Sequence, residues 1–330
     1  MTQHDATSIL VTGAAGYIGT VVSGVLLSRG YRVHGVDNLM YGSHGVKHLL
    51  AAPEFSFHVA DITAYDKLAQ IFAETRPAAV VHLAAIVGDP ASKLQPELTV
   101  TVNRDATIEL YRIARSSGAR RFVFASTCSN YGLSASDELL TEDSPLQPLS
   151  VYAASKVDAE RWLIGNADPQ CPARIFRFST AHGLSPRMRF DLTINEFTRT
   201  ICERQTLEVY DGDTWRPYCH VIDIAELLAI ALDREIGAAA CAVYNVGSNA
   251  ENCTKSDIIQ RIEAATGLAA DVRNIGAGKD RRNYRVSFDK LRADYQFTPR
   301  FGVAYSARQI HDALRVDAFP RDAVHGYGNT

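Results

Sequence analysis

Three glycines at three-residue intervals, directly after an apolar run, restrict what this chain can fold into. Ile9-Leu10-Val11-Thr12 has the character of a buried strand; it breaks at Gly13, Gly16 and Gly19, and apolar residues resume at helical spacing through Val21, Val22, Val25 and Leu26. The pattern reads as strand, tight turn, helix. Gly13 permits the turn, Gly16 lets backbone N–H groups approach a pyrophosphate on the positive end of the helix, and Gly19 lets the helix pack close on its strand. A second strand over 31–36 ends at Asp37, eighteen residues past Gly19, where a carboxylate suits the ribose hydroxyls of a dinucleotide. Asp37 would repel a 2′-phosphate, which favours NAD over NADP, and Asn38 beside it joins the candidate cofactor-binding set.

The alternation continues. Strands are expected over 55–59, 79–83, 121–125 and 174–178, with helices over 65–74, 98–117 and 151–164 between them, which predicts an α/β fold with a doubly wound, Rossmann-type parallel sheet. Beyond residue 179 the rhythm loosens: a loop at 182–190, a helix at 191–204, short strands at 207–210 and 218–222, a helix at 224–232, a returning strand at 242–246, and helices at 256–266 and 304–315. The expected organisation is an NAD-binding domain over 1–179 with sheet-returning segments at about 218–248, and a smaller α/β substrate-binding cap made mainly of 180–330. The tail past Phe319 reads as frayed.

Bulk properties exclude several classes. With 330 residues, 46% of them hydrophobic, the chain can bury a large core, and a net charge of −3 with no basic run argues against nucleic acid or an anionic membrane as partner. Six cysteines show neither a CxxC pair nor metal-ligand spacing, and the polar start does not resemble a signal peptide, so a reduced, cytoplasmic protein without metal is expected. No apolar stretch approaches the ~20 residues of a membrane span.

Tyr152 and Lys156 stand at i and i+4 on one helix face, where both can point into the same cleft. An ordinary phenol titrates near ~10, and a neighbouring ammonium together with a cationic nicotinamide would favour the phenolate. Upstream, the strand Phe122-Val123-Phe124-Ala125 runs into the hydroxyl residues Ser126 and Thr127 at the carboxyl edge of the sheet, where open α/β folds bind ligands. Together with the glycine turn these residues resemble the extended short-chain dehydrogenase/reductase family, and within it the NAD-dependent nucleotide-sugar epimerase/dehydratase group, over about residues 8–300.

The resemblance implies roles position by position. Thr127 would hydrogen-bond the reacting sugar oxygen, Tyr152 would be the base, and Lys156 would tune Tyr152 and hold the nicotinamide ribose. Tyr17 and Ile18 would lie along the pyrophosphate, Asp61 and Ile62 at the adenine, Leu83, Ala84 and Ala85 along the cofactor, with Asn103 ordering the central sheet and cofactor site. Arg216, in Trp215-Arg216-Pro217-Tyr218-Cys219-His220-Val221-Ile222-Asp223, would clamp a nucleotide diphosphate, Tyr210 would contact the base, and Arg187, Arg189, Arg281 and Arg282 lie in two loops expected to close over the substrate. A homodimer through the helices at 98–117 and 151–164 is also implied.

Departures narrow the function. Cys128 and Ser129 stand where 4,6-dehydratases of this group carry Asp-Glu, which disfavours a dehydratase, and likewise the decarboxylases that resemble it in carrying Glu at the second position. Val87 and Thr180 replace the Lys and Asn usual in UDP-galactose 4-epimerases, which puts galactose in doubt. Cys128 is read as a packing residue, and His182 as a hydrogen-bonded loop histidine. The expected activity is oxidation of a sugar hydroxyl, at C4, to a ketone and its reduction from the other face. A nucleotide-sugar ketoreductase or dehydrogenase would use the same Thr-Tyr-Lys set, and a non-catalytic dinucleotide sensor is the reading from a different class.

Overall fold

The first strand, β1 (Ser8–Thr12), alternates its side chains between two layers: Ile9 and Val11 enter one apolar cluster and Leu10 the other. The computed structural model describes residues 7–134, 138–234, 239–276, 278, 282–319 and 328–329. After the glycine turn come α1 (Tyr17–Ser28), β2 (Arg32–Asp37), β3 (Phe55–Val59), α2 (Tyr65–Thr75) and β4 (Ala79–His82). Then follow α3 (Asp89–Leu94), α4 (Pro96–Val100), a π-helical segment at Thr101–Asp105, α5 (Ala106–Ser116), β5 (Phe122–Thr127), α6 (Val151–Asn166) and β6 (Ala173–Phe178). The remainder is β7 (Thr180–His182), α7 (Thr193–Cys202), β8 (Thr206–Tyr210), β9 (Trp215–His220), α8 (Val221–Asp233), β10 (Cys241–Val246), β11 (Asn252–Thr254), α9 (Lys255–Thr266), β12 (Asp271–Gly276), α10 (Asp289–Tyr295) and α11 (Val303–Arg315).

Seven parallel strands form the central sheet in the order β3-β2-β1-β4-β5-β6-β10. On one face pack α1, α8 and α10, through Val22, Leu26, Leu228 and Leu291; on the other pack α2, α5 and α6, through Phe72, Leu110 and Leu163. The chain leaves β1 toward β2 and β3, then returns to the opposite side of β1 as β4. The connections after β1 and β4 therefore diverge, and a crevice opens at their carboxyl ends. Ile194, Phe197, Leu207, Ile258, Ile262 and Val303 build a separate hydrophobic core. The remaining strands form two small sheets, β11-β9-β7 and β12-β8.

Several elements differ from the sequence reading. The helix expected over 98–117 begins at Pro96 and is interrupted by the π-helical turn, where Asn103 faces inward and its carbonyl also accepts from Thr107 Oγ1 at 2.8 Å. The strand placed at 218–222 is instead β9; it stops at His220, whose ring caps α8 by accepting from the Ile222 N–H at 3.1 Å. The 191–204 helix is shorter, and His182 ends β7 rather than opening a loop. The exposed edge strand β12 had no alternating pattern to announce it. Of the tail past Phe319, only residues 328–329 are among those described.

Candidate active site

The glycine turn is built from backbone packed on backbone. Gly13 has φ +70° and donates its N–H to Val36 O at 2.9 Å, while Gly16 N donates to Gly13 O at 3.0 Å. A Cβ on Gly13 would sit 2.7 Å from Ala84 N, and one on Gly19 only 1.9 Å from Gly13 O. No side chain caps α1 at Gly16, so the N-terminal end of the helix is left bare for an anion. Asp37, at the end of β2, accepts from Ala15 N at 3.0 Å and from Leu39 N at 2.8 Å; burial raises its pKa, and these two bonds and Arg187 oppose that rise. Asn38 Nδ2 donates to Asp61 Oδ2 at 2.8 Å, tying the β2 and β3 connections together.

Thr127 closes β5. Its Oγ1 accepts from Ser129 N at 3.1 Å, which opens a 3-10 turn over Cys128–Tyr131, and its side chain lines the same cleft as Tyr152. Tyr152 lies in the first turn of α6, a helix capped by Ser150 Oγ accepting from Ala153 N at 3.2 Å. One helical turn on, Lys156 is buried; its Nζ donates to Ala125 O at 2.9 Å and lies 4.7 Å from the centroid of the Phe124 ring. Burial pushes the ammonium down to about 7, with Glu160 acting in the opposite direction.

The phenol itself departs from expectation. Burial raises the Tyr152 pKa, while Thr127, Arg189 and Arg282 lower it and Asp89 raises it further. Lys156 is not among the groups acting on the phenol; its Nζ donates to the Ala125 carbonyl.

One cleft of about 870 Å3 is lined by Gly13, Gly16, Tyr17, Ile18, Gly19, Asp37, Asn38, Asp61, Ile62, Leu83, Ala84 and Ala85 at the glycine-turn side, together with Thr127, Tyr152 and Lys156. Arg187, Arg189, Arg216 and Arg282 line it too. Arg216 is held in place by donating to Trp215 O at 2.9 Å and to Arg282 O, with its guanidinium 5.3 Å from the centroid of the Tyr284 ring. The space that side chains at Gly13 and Gly19 would fill is occupied by backbone, and the bare helix end, the Asp37 carboxylate and the three convergent side chains fit a dinucleotide and a hydroxylated ligand.

A model of the NAD dependent epimerase/dehydratase family matches residues 9–247. The chain belongs to this family. It is 32% identical over 276 residues to UDP-glucuronate 4-epimerase of Thermodesulfobacterium geofontis, covering 79% of this chain and 81% of that one. The crystal structure of the Thermus thermophilus UDP-glucose 4-epimerase in complex with NAD superposes with a TM-score of 0.81 at 28% identity, over 94% of this chain and 99% of that one. UDP-glucuronic acid 4-epimerase from Bacillus cereus, in complex with UDP-glucuronic acid and NAD, gives 0.82 at 25% identity over 94% and 99%.

Within this member of the family some candidate residues stand elsewhere. Asn103 does not line the cleft; it is buried behind it, accepting from Ile86 N at 2.8 Å and donating to Ile86 O at 2.9 Å and Ser155 Oγ at 3.2 Å, so it clamps the β4 connection onto α6. Tyr210 is exposed on β8 and is not among the residues lining the cleft, although its carbonyl accepts from the cleft-lining Lys255. Arg281 lies outside the described residues. The Tyr17 hydroxyl turns from the cleft to donate to Gly183 O at 2.6 Å. Arg187 stacks 4.8 Å from the centroid of the Tyr41 ring and acts on Asp37, at the glycine-turn side of the cleft. Cys128 is buried and donates to Arg177 O at 3.2 Å, its thiol pushed up to about 12 by burial; His182 is buried against Ser306 Oγ at 2.7 Å. Neither lines the cleft.

Asp89, Tyr41, Asp191 and Lys255 line the cleft and were given no role from sequence. For Asp89 the available signal was Gly88-Asp89-Pro90, a helix-start pattern that places a carboxylate just after the β4 connection.

Proposed function

We propose that this chain is an NAD-dependent nucleotide-sugar epimerase that inverts a hydroxyl-bearing carbon, C4, as in the 4-epimerases it resembles. The observation that carries the reading is the convergence of the glycine turn, Asp37 and the Thr127-Tyr152-Lys156 set on one cleft. The glycine turn with Ile18 would hold the pyrophosphate, Asp37 and Asn38 the adenosine ribose, Asp61 and Ile62 the adenine, Leu83-Ala84-Ala85 the length of the cofactor, and Lys156 the nicotinamide ribose. Held by these residues, the cofactor would supply reversible hydride transfer at the sugar carbon, from one face and then the other, with no net oxidation or reduction.

The chain's own residues handle the proton. Tyr152 takes it from the reacting hydroxyl and gives it back, while Thr127, on the same cleft, hydrogen-bonds the sugar oxygen. Arg216, a planar fork beside the cleft, suits a diphosphate. The large sheet, 1–179 with the return at 218–248, serves the cofactor, and 180–330 supplies the cap. The protein works in the cytoplasm as a homodimer through the helices at 98–117 and 151–164, the pairing being supported by the exposed Ile164 on α6. No helix among the described residues is long and apolar enough to cross a membrane.

Replacing Tyr152 by Phe tests the reading. Interconversion of UDP-sugar epimers, followed chromatographically, is expected to fall by ~10²–10⁴-fold in kcat while extracted NAD per protein stays the same. Unchanged turnover would reject it, and stoichiometric release of NADH by the wild type would favour the dehydrogenase alternative.

A further inference from the structure

Among the charged side chains whose fields reach the Tyr152 phenol are two arginines, Arg189 and Arg282, and one carboxylate, Asp89. Two arginines beside a reacting sugar would ordinarily invite an acidic one. Here each guanidinium already has a carboxylate. Arg189 makes a two-pronged pair with Asp191, Nε to Oδ1 at 3.0 Å and Nη2 to Oδ2. Arg282 faces Asp89, Nη2 to Oδ2 at 3.4 Å, and donates Nη1 to Ser129 Oγ at 3.0 Å, two residues from Thr127.

The two pairs cancel in charge, and a second feature points the same way. Asp89 Oδ1 is shielded from solvent and accepts no hydrogen bond among the described residues. The Asp89 side chain as a whole is 28% exposed, but this one oxygen is open only to a donor that enters the cleft. A sugar hydroxyl is such a donor, whereas a sugar carboxylate would meet a like charge.

We infer that Asp89, paired with Arg282, selects a neutral, hydroxyl-bearing sugar and rejects a uronic acid at the reacting end of the cleft. This rests on the epimerase reading and divides the two sugar classes represented among the relatives. Relative to an unpaired-arginine pocket, the arrangement exchanges attraction for a carboxylate for hydrogen bonding to hydroxyls. Arg216, whose guanidinium donates to the Trp215 and Arg282 carbonyls, takes no part in the two carboxylate pairs and serves the diphosphate that both sugar classes share.

The test is calorimetric titration of the NAD-loaded Tyr152→Phe protein, which binds without turning over, with UDP-glucose and with UDP-glucuronate. UDP-glucose is expected to bind more tightly by about tenfold or more. Asp89→Asn in the same background is expected to bring the two affinities within about threefold, chiefly by strengthening UDP-glucuronate binding. Asp89→Ser, with its thermal midpoint measured alongside, separates this change from misfolding. Equal or tighter binding of UDP-glucuronate by the unmodified pocket, or an unaltered ratio in both folded Asp89 variants, overturns the inference while leaving the epimerase intact. Binding of neither sugar nucleotide overturns both.

Discussion

A methyl group at Gly19 would stand 1.9 Å from the Gly13 carbonyl oxygen, and no rotation of a side chain can relieve a clash between two stretches of backbone. Gly19→Ala must therefore spread the turn that holds the end of α1 against β1; retained NAD is expected to fall more than about tenfold, with a stability loss of roughly 1–3 kcal/mol. Gly24 provides the contrast in the same helix. Its Cβ would meet only Leu49 Cδ2 at 3.8 Å, so Gly24→Ala should stabilise by about 0.5–1 kcal/mol and leave NAD content unchanged. Extraction of bound nucleotide and urea unfolding of the two variants check both statements, and similar behaviour at the two positions would refute the packing argument. The contrast also shows what one residue reveals in sequence. The glycine turn, Asp37 and the Tyr152–Lys156 spacing were legible because each is local, set by a turn, a strand end or one helical repeat. The pairing of Asp89 with Arg282 joins positions far apart in the chain, and the raised Tyr152 phenol reflects burial, so neither has a local mark.

At the level of elements, α6 carries Tyr152 and Lys156, β5 ends in Thr127, and a buried ion pair binds these two pieces to β6. Arg177 Nη2 meets Glu160 Oε2 at 2.7 Å, and Nε reaches both carboxylate oxygens at 3.1 Å; both side chains are less than 5% exposed. Glu160 Oε1 also accepts from Ser126 Oγ and, at 2.8 Å, from Asn130 Nδ2, while Arg177 Nη1 donates to Tyr131 Oη at 3.0 Å. Removing one partner strands the other charge in the interior. Glu160→Gln is expected to cost about 3–5 kcal/mol, and Glu160→Leu with Arg177→Met less than the sum of the two single changes. Urea unfolding of the single and double variants measures this, and additive losses would show that the two groups do not act as a pair. Neither residue stood out in sequence, because a charged residue in a helix or strand normally reads as a solvated face. The same limit explains β12, whose exposed edge residues lack alternation, and the π-helical break at Thr101–Asp105, which leaves no mark in the spacing even though the resemblance singles out Asn103 within it. The core strands were legible because parallel strands covered on both faces must be apolar throughout.

For the molecule as a whole, acid is the condition that opposes the fold, since it closes over imidazoles with no room for protons. His82 is held between Thr12 Oγ1 at 2.7 Å and Thr107 Oγ1 at 2.9 Å, under the sheet edge beside the glycine turn. His182 and His220 pack edge to face with ring centroids 5.4 Å apart, and His34 lies on β2. Burial lowers all four: His34 and His220 to about 4, with His82 and His182 well below the usual imidazole range, the last helped by repulsion from His220. In the unfolded chain each titrates near ~6.5, so below that pH the unfolded state binds protons that the native state refuses. Stability is therefore unaffected by these groups above about pH 7 and declines as the pH falls through 6.5, with the losses from His34 and His220 levelling off near 4. Each histidine contributes a slope of up to ~1.4 kcal/mol per pH unit in that window. Urea unfolding at pH 7, 6 and 5 should show the decline. His220→Asn, which retains an acceptor for the Ile222 N–H, should make the decline shallower by about one proton. A stability that stays level from pH 7 to 5 would mean that these imidazoles accept protons within the folded protein, and hence that the packing around the β1 and β9 edges is looser than their burial indicates.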